Sequence, residues 1–188
     1  MRINKCILDR QDFFQELVKH KKEIYESEIV LTQQQNNIRW LVGSSQAKLK
    51  SKPDKIDFIV KINKTANKYG IMLQCLNLCN EPYFRFDSDG PTHQNVSETI
   101  ALEDRQVPTP HFNTYDLEGR EFAYQNDILK NQLEAQAISN NLEFGISLFC
   151  NEANAFVNED LLPICIDSTI LPDFEIEAEF NLNNVKFE

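Results

Sequence analysis

The stretch KIDFIVKINK, residues 55–64, decides how this chain folds. Ile56, Phe58, Val60 and Ile62 alternate with Asp57, Lys61 and Asn63, a period of two that puts apolar side chains on one face of a strand and polar ones on the other. Downstream, YGIMLQCLNLC (69–79) and PYFRFD (82–87) continue a sheet, parted by Asn80-Glu81-Pro82. Upstream, EIVLTQQQNNIRWLVGS (28–44) holds two apolar runs, Ile29 to Leu31 and Ile38 to Val42, around a polar segment ending in Asn-Asn, which is a hairpin signal. AKLKSKPDK (47–55) reads as a basic loop broken by Pro53.

Beyond the dense turn cluster DSDGPT (87–92), ETIAL, PHFNTY and REFAYQ follow as further strands, the last two joined by the turn DLEG. The ends of the chain have a different period. DRQDFFQELVKHKKEIYES (9–27) spaces Phe13, Phe14, Leu17, Val18 and Ile24 for one face of a helix, with Asp9 and Asp12 favouring its amino end and His20 among Lys19, Lys21 and Lys22 on the wet side. From Asp127, the residues Leu133, Ala137, Leu142, Ile146 and Phe149 recur at mainly helical intervals, predicting one or two helices packed on the sheet. DFEIEAEFNL (173–182) alternates apolar residues with acids. It reads as a charge-protected edge strand or a terminal arm. The expectation is an α+β protein, a mostly antiparallel sheet with an N-terminal helix and C-terminal helices packed on it, in one domain over 1–188 with an acidic strand or arm at 170–188.

Composition narrows the setting. A chain of 188 residues with thirteen Phe, five Tyr, one Trp and only five Gly has the makings of a packed core and can bury roughly two-thirds of its unfolded surface. Cys6, Cys75, Cys79, Cys150 and Cys165 are odd in number and mostly sit in apolar runs, so they read as reduced core residues of a cytosolic protein; Cys75-x-x-x-Cys79 reads as strand core rather than a metal pair. No signal pattern or apolar run long enough to span a bilayer is present, so no membrane role is expected. The net charge of −10 is segregated: residues 1–70 carry 14 Lys/Arg and 8 Asp/Glu, residues 71–188 carry 5 and 21. A basic first third suits phosphates, whereas an acidic remainder repels them or imitates them before a basic partner.

Two of the three histidines fall in matching contexts, YFRFDSDGPTHQN (83–95) and PTPHFNTYD (108–116). If 85–87 and 111–115 run on adjacent strands, Arg85, Asp87, His111, Asn113 and Tyr115 share one face by their period of two. Paired histidines with ordinary pKa values near 6.5 can act as base and acid at neutral pH. A guanidinium beside them can bind two phosphate oxygens, an aspartate can orient an imidazole or raise its pKa, and a tyrosine can donate to phosphate. The competing reading makes the histidines hydrogen-bonded turn and strand residues, Arg85 and Asp87 an ion pair supporting the turn, and Tyr115 a packing residue. Asp87, His93 and His111 as metal ligands are disfavoured, because no tight ligand spacing such as H-x-x-x-H supports them. No cofactor is expected.

The arrangement R-x-D-x-x-G-P-x-H-x-N followed by P-H-x-x-x-Y, carried by Arg85, Asp87, Gly90, Pro91, His93, Asn95, Pro110, His111 and Tyr115, resembles a small family from phages and mobile elements. In that family the first motif continues P-D-G and the second reads P-H-x-H-x-Y. The resemblance covers about residues 56–125 and extends toward the helix at 141–152. Val96-Ser97-Glu98 replace P-D-G, and Asn113 stands where the family has a second histidine, which speaks against any mechanism requiring three histidines. The motif is also similar to that of ribonuclease toxins with Arg-x-Asp and clustered histidines. In size, charge and outline the chain is similar to phage anti-CRISPR proteins that trim the guide RNA of type II effectors.

The resemblance implies a small endoribonuclease acting on structured RNA in the cytoplasm of a bacterial host, an anti-CRISPR inhibitor that truncates guide RNA, independent of metal. His93 and His111 would transfer protons, Arg85 stabilise phosphate, Asp87 orient and Tyr115 assist, with Lys48, Lys50, Lys52 and Lys55 tracking the RNA backbone. Its acidity calls for a protein partner that delivers the RNA, a CRISPR effector nuclease, and a homodimer is left open. The alternative is a non-enzymatic acidic inhibitor or antitoxin that occupies the basic nucleic-acid groove of a partner protein. In that case Glu175, Glu177 and Glu179 carry the function and the histidines do not.

Overall fold

The computed structural model describes residues 3–49, 52–96, 101, 105–158 and 161–168. Two short helices, α1 (Lys5–Asp9) and α2 (Gln11–Lys19), precede strands β1 (Lys22–Ile24), β2 (Glu28–Gln34), β3 (Asn37–Leu49), β4 (Lys52–Asn63), β5 (Lys68–Gln74), β6 (Phe84–Asp87), β7 (His93–Gln94), β8 (Gln106–Val107), β9 (His111–Tyr115) and β10 (Glu121–Tyr124). Helices α3 (Asp127–Lys130), α4 (Gln132–Asn140) and α5 (Leu142–Ala153) follow, then β11 (Ala155–Val157) and β12 (Ile164–Asp167). The fold is α+β. Among the described residues the main sheet has ten strands, with the path β10-β9-β6-β5-β4-β3-β1-β11 and with β2 between β3 and β12. Among the described residues, only β1 with β11 and β2 with β12 pair in parallel.

The alternation at 55–64 is realised in β4, whose Ile56, Phe58 and Val60 are fully buried. Across the sheet the same face continues as Ile71, Leu73, Phe84, Phe86 and Phe112, because register pairs Phe58 with Leu73, Leu73 with Phe84, and Phe86 with Phe112. Helix α5 covers this face, and Phe149 brings its ring centroid to 5.7 Å from Phe58 and 5.5 Å from Phe84. Burial of each such ring contributes about 1.5–3 kcal/mol. Gly145 is needed for the close approach, since a Cβ there would lie 2.1 Å from the Tyr69 hydroxyl, which donates to the carbonyls of Ile138 and Asn141.

Several expectations change in detail. The predicted helix over 9–27 is interrupted at Arg10 and ends at Lys19, and Lys22–Ile24 is a strand instead. Its pairing on both sides, with β3 and β11, outweighs helical propensity. His20 is exposed, as its position among lysines suggested, but Lys22 is wholly buried. The predicted basic loop at 47–55 is mostly strand. Pro53 is accommodated because β5 pairs with β4 only from Asp57 onward, leaving that side of residues 52–56 without a ladder partner.

Cys75 and Cys79 are buried, in the turn after β5 rather than in a strand. Three helical segments replace one or two, each opened by an asparagine cap: Asn126, Asn131 and Asn141. The break at Asn141 resets the helical phase, so Leu133 and Ala137 are exposed while Ala135 and Ile138 face the core. ETIAL, apart from Ala101, and the acidic segment 170–188 lie outside the described residues. Among the described residues no helix is long and apolar enough to cross a membrane.

Candidate active site

Strand β6, FRFD, sends Phe84 and Phe86 into the core and therefore Arg85 and Asp87 to the opposite face. Strand β9, HFNTY, does the same with Phe112 against His111, Asn113 and Tyr115. The two strands are antiparallel neighbours, with Arg85 opposite Asn113 and Asp87 opposite His111. The four polar side chains of these two pairs therefore meet.

Asp87 is the hub. Its Oδ2 accepts from Arg85 Nε at 2.9 Å and Asn113 Nδ2 at 2.8 Å, and lies 3.7 Å from His111 Nε2. Arg85 also approaches Glu121 of β10, with Nη2 3.4 Å from Oε1. The Asn113 amide must donate to the carboxylate, which leaves its buried Oδ1 without a partner.

His111 is 3% exposed. Its Nδ1 lies 3.2 Å from the Pro108 carbonyl, and a carbonyl only accepts, so Nδ1 carries the proton and Nε2 keeps a lone pair in the neutral ring. Burial pushes the His111 pKa below its ordinary value of 6.5, opposed by the Pro108 carbonyl and the Asp87 carboxylate and reinforced by the neighbouring His93 ring and Arg85 guanidinium.

His93 reaches the same place from a different element. The ribbon β7–β8 pairs His93 with Val107, and the half-buried ring stands edge-on to His111 with centroids 6.1 Å apart and an interplanar angle of 77°. Asn95 anchors that ribbon: its Nδ2 donates to the Ala123 carbonyl at 2.8 Å and its Oδ1 accepts from the Ala123 N–H at 2.8 Å. The side chain thus mimics a strand residue along the outer edge of β10. Asn95 belongs to the motif, but its anchoring role was invisible in the sequence, because the bonds go to backbone 28 residues away.

A cleft of about 490 Å³ opens over the cluster, lined among others by Arg85, Asp87, His93 and His111, and on its far side by Trp40, Lys61 and Lys68. Tyr115 does not line it. Four residues along β9 from His111, about 13 Å, it meets Phe14 of α2 edge-on at 6.2 Å, and burial pushes its phenol pKa upward. Lys48 and Lys55 pair across β3 and β4, six residues from Lys61 along the strand, about 20 Å away. Lys48 is held by Glu23 at 3.5 Å and over the Tyr25 ring at 5.0 Å. Lys50 lies outside the described residues, as does the side chain of Lys52. Among the described residues no three His, Cys, Asp or Glu side chains are grouped to hold a metal ion.

The chain belongs to the DUF6978 family, a family of unknown function. The match spans residues 10–154, from the start of α2 to the end of α5, and so contains every residue of the cluster. No curated protein and no solved structure matches the chain.

Proposed function

We propose that this member of DUF6978 is a metal-independent endoribonuclease. The observation that carries the reading is the imidazole pair, 6.1 Å apart at one end of a cleft, with a carboxylate and a guanidinium beside it. His111, buried and with its Nε2 lone pair available, takes the proton of a 2′-hydroxyl. The freed oxygen attacks the adjacent phosphorus and the bond to the 5′-oxygen breaks, leaving a 2′,3′-cyclic phosphate. Protonated His93 gives its proton to that 5′-oxygen. Asp87 stabilises the imidazolium formed on His111, and Arg85 faces the charge that builds on phosphorus. Tyr115 acts through packing rather than on phosphate, and Lys48 and Lys55 meet only distant parts of a long RNA.

The finer biology follows from the chain's likeness in size, charge and outline to guide-RNA-trimming inhibitors. The RNA is the guide of a type II CRISPR effector in a bacterial cytoplasm, and the effector delivers it despite the chain's net negative charge. Guide RNA, free and bound to its effector, is incubated with wild type, His93→Ala and His111→Ala, with and without chelator. Cleavage by wild type in chelator is expected, with each alanine variant slower by about 10²–10⁴-fold. Intact RNA in every lane would sink the proposal. If the variants still inhibit the effector, the reading that holds is the non-enzymatic one, in which the acids at 173–182 occupy a basic groove.

A further inference from the structure

The face that carries Asp87 and His111 continues across the sheet. Lys61 stands opposite Gly70, Gly70 opposite Asp87, and Asp87 opposite His111, a single row crossing four strands. Strands lie about 4.8 Å apart, which puts the Lys61 backbone about 10 Å from that of Asp87. One period along, Trp40 stands opposite Asn63 and Asn63 opposite Lys68, so the indole and the second lysine share the face. All three line the same cleft as the imidazoles.

Between them Gly70 leaves the floor bare. A Cβ at Gly70 would meet the Phe86 carbonyl at 3.4 Å and Asp87 Oδ1 at 3.6 Å, ordinary contacts, so packing does not forbid a side chain there. Among the described residues, Lys61 and Lys68 have no carboxylate within salt-bridge range, whereas Lys48 holds one and Arg85 and Arg120 hold two each. Two ammonium groups and an indole around an open floor match the parts of an unpaired nucleotide: phosphate on either side, and a base with both faces available.

We propose that Trp40, Lys61 and Lys68 form a subsite for an unpaired nucleotide of RNA beside the phosphodiester held at His93 and His111, with the base stacked on Trp40 and its phosphates bound by the two lysines. This rests on the ribonuclease reading for its placement and adds the substrate class. Stacking on an indole requires an exposed base face, which a continuous duplex withholds. The cleaved strand is therefore single-stranded at the cut, in a loop, a bulge or a free end.

Trp40 is the only tryptophan of the chain, so its fluorescence reports the subsite directly. The probe is a 2′-O-methyl oligoribonucleotide, which lacks the attacking hydroxyl and cannot be cut, used single-stranded and as a duplex. Saturable quenching by the single strand is expected, with the duplex at least about tenfold weaker. Lys61→Ala with Lys68→Ala is expected to weaken binding and to reduce the salt slope, by about 0.7 for each phosphate that is no longer neutralised. Gly70→Val, which suits a strand and fills the floor, is expected to weaken it too. The absence of a saturable Trp40 response, equal affinity for the duplex, or unchanged binding by the double lysine variant would each overturn the subsite. Quenching without cleavage of unmodified RNA would remove the catalytic reading and leave the subsite standing. Cleavage without any Trp40 response does the reverse.

Discussion

Lys22 and His111 are both ionisable, both buried and both shifted toward the neutral form by burial, Lys22 to about 7. Their surroundings differ. Lys22 Nζ donates to three backbone carbonyls, Ala153 at 2.7 Å, His20 at 2.8 Å and Val18 at 3.3 Å, which join the carboxyl ends of α2 and α5 where helix dipoles favour a cation. Every proton of the ammonium is used. His111 engages one ring nitrogen with Pro108 and turns the other toward a carboxylate at the wall of a cleft. Burial and a displaced pKa are thus shared by a fastener and a candidate catalyst. What separates them is a reactive atom left available beside open space.

The largest effect that tests this contrast is on stability. Lys22→Met leaves three carbonyls without their donor and is expected to cost about 3 kcal/mol, about 1 kcal/mol for each lost bond, read as the urea midpoint, while the rate per folded molecule is unchanged. A Lys22 variant that keeps its stability but loses cleavage would break the comparison. Asn95→Ala comes next. It strips two buried bonds from the edge of β10, costing about 1–3 kcal/mol, and it releases the ribbon that presents His93, so kcat falls while KM for RNA holds. Asn95→Asp is not expected to rescue it, since a carboxylate oxygen then faces the Ala123 carbonyl. If Asn95→Ala destabilises without lowering kcat, His93 is not positioned from this edge.

The smallest effect is on pH dependence. His111 must be neutral to act as base, and its pKa lies below 6.5, so kcat/KM should rise with pH along a limb centred below 6.5. Asp87 favours the protonated ring, hence Asp87→Asn moves that limb to still lower pH while reducing the rate. A limb that moves upward, or stays where it was, would show that Asp87 does not act on His111.

Much of the sheet was legible because alternation over β4, β6 and β9 is a local property, set by which side chains leave water. The same period put Arg85, Asp87, His111 and Asn113 on one face once the strands were taken as neighbours. Less legible were places where partners far along the chain decide. Lys22 sat in a helical pattern, yet β1 is strand because β3 and β11 pair with it. Of the lysines singled out at 48–55, Lys48 and Lys55 lie well down the strands from the cleft, whereas Lys61 was only one polar residue among several in an alternating run.

The α+β class, the strands that carry Arg85, Asp87 and His111, and the shared side of alternate residues within each of them follow from local sequence, because side-chain period follows directly from backbone geometry; the short ribbon that holds His93 does not. It took tertiary structure to settle that Asn95 draws His93 over His111, that Tyr115 turns to α2, and that Trp40, Lys61 and Lys68 close the far side of the cleft. These depend on register across strands and on bonds between residues far apart in sequence, and neither is written in any local period.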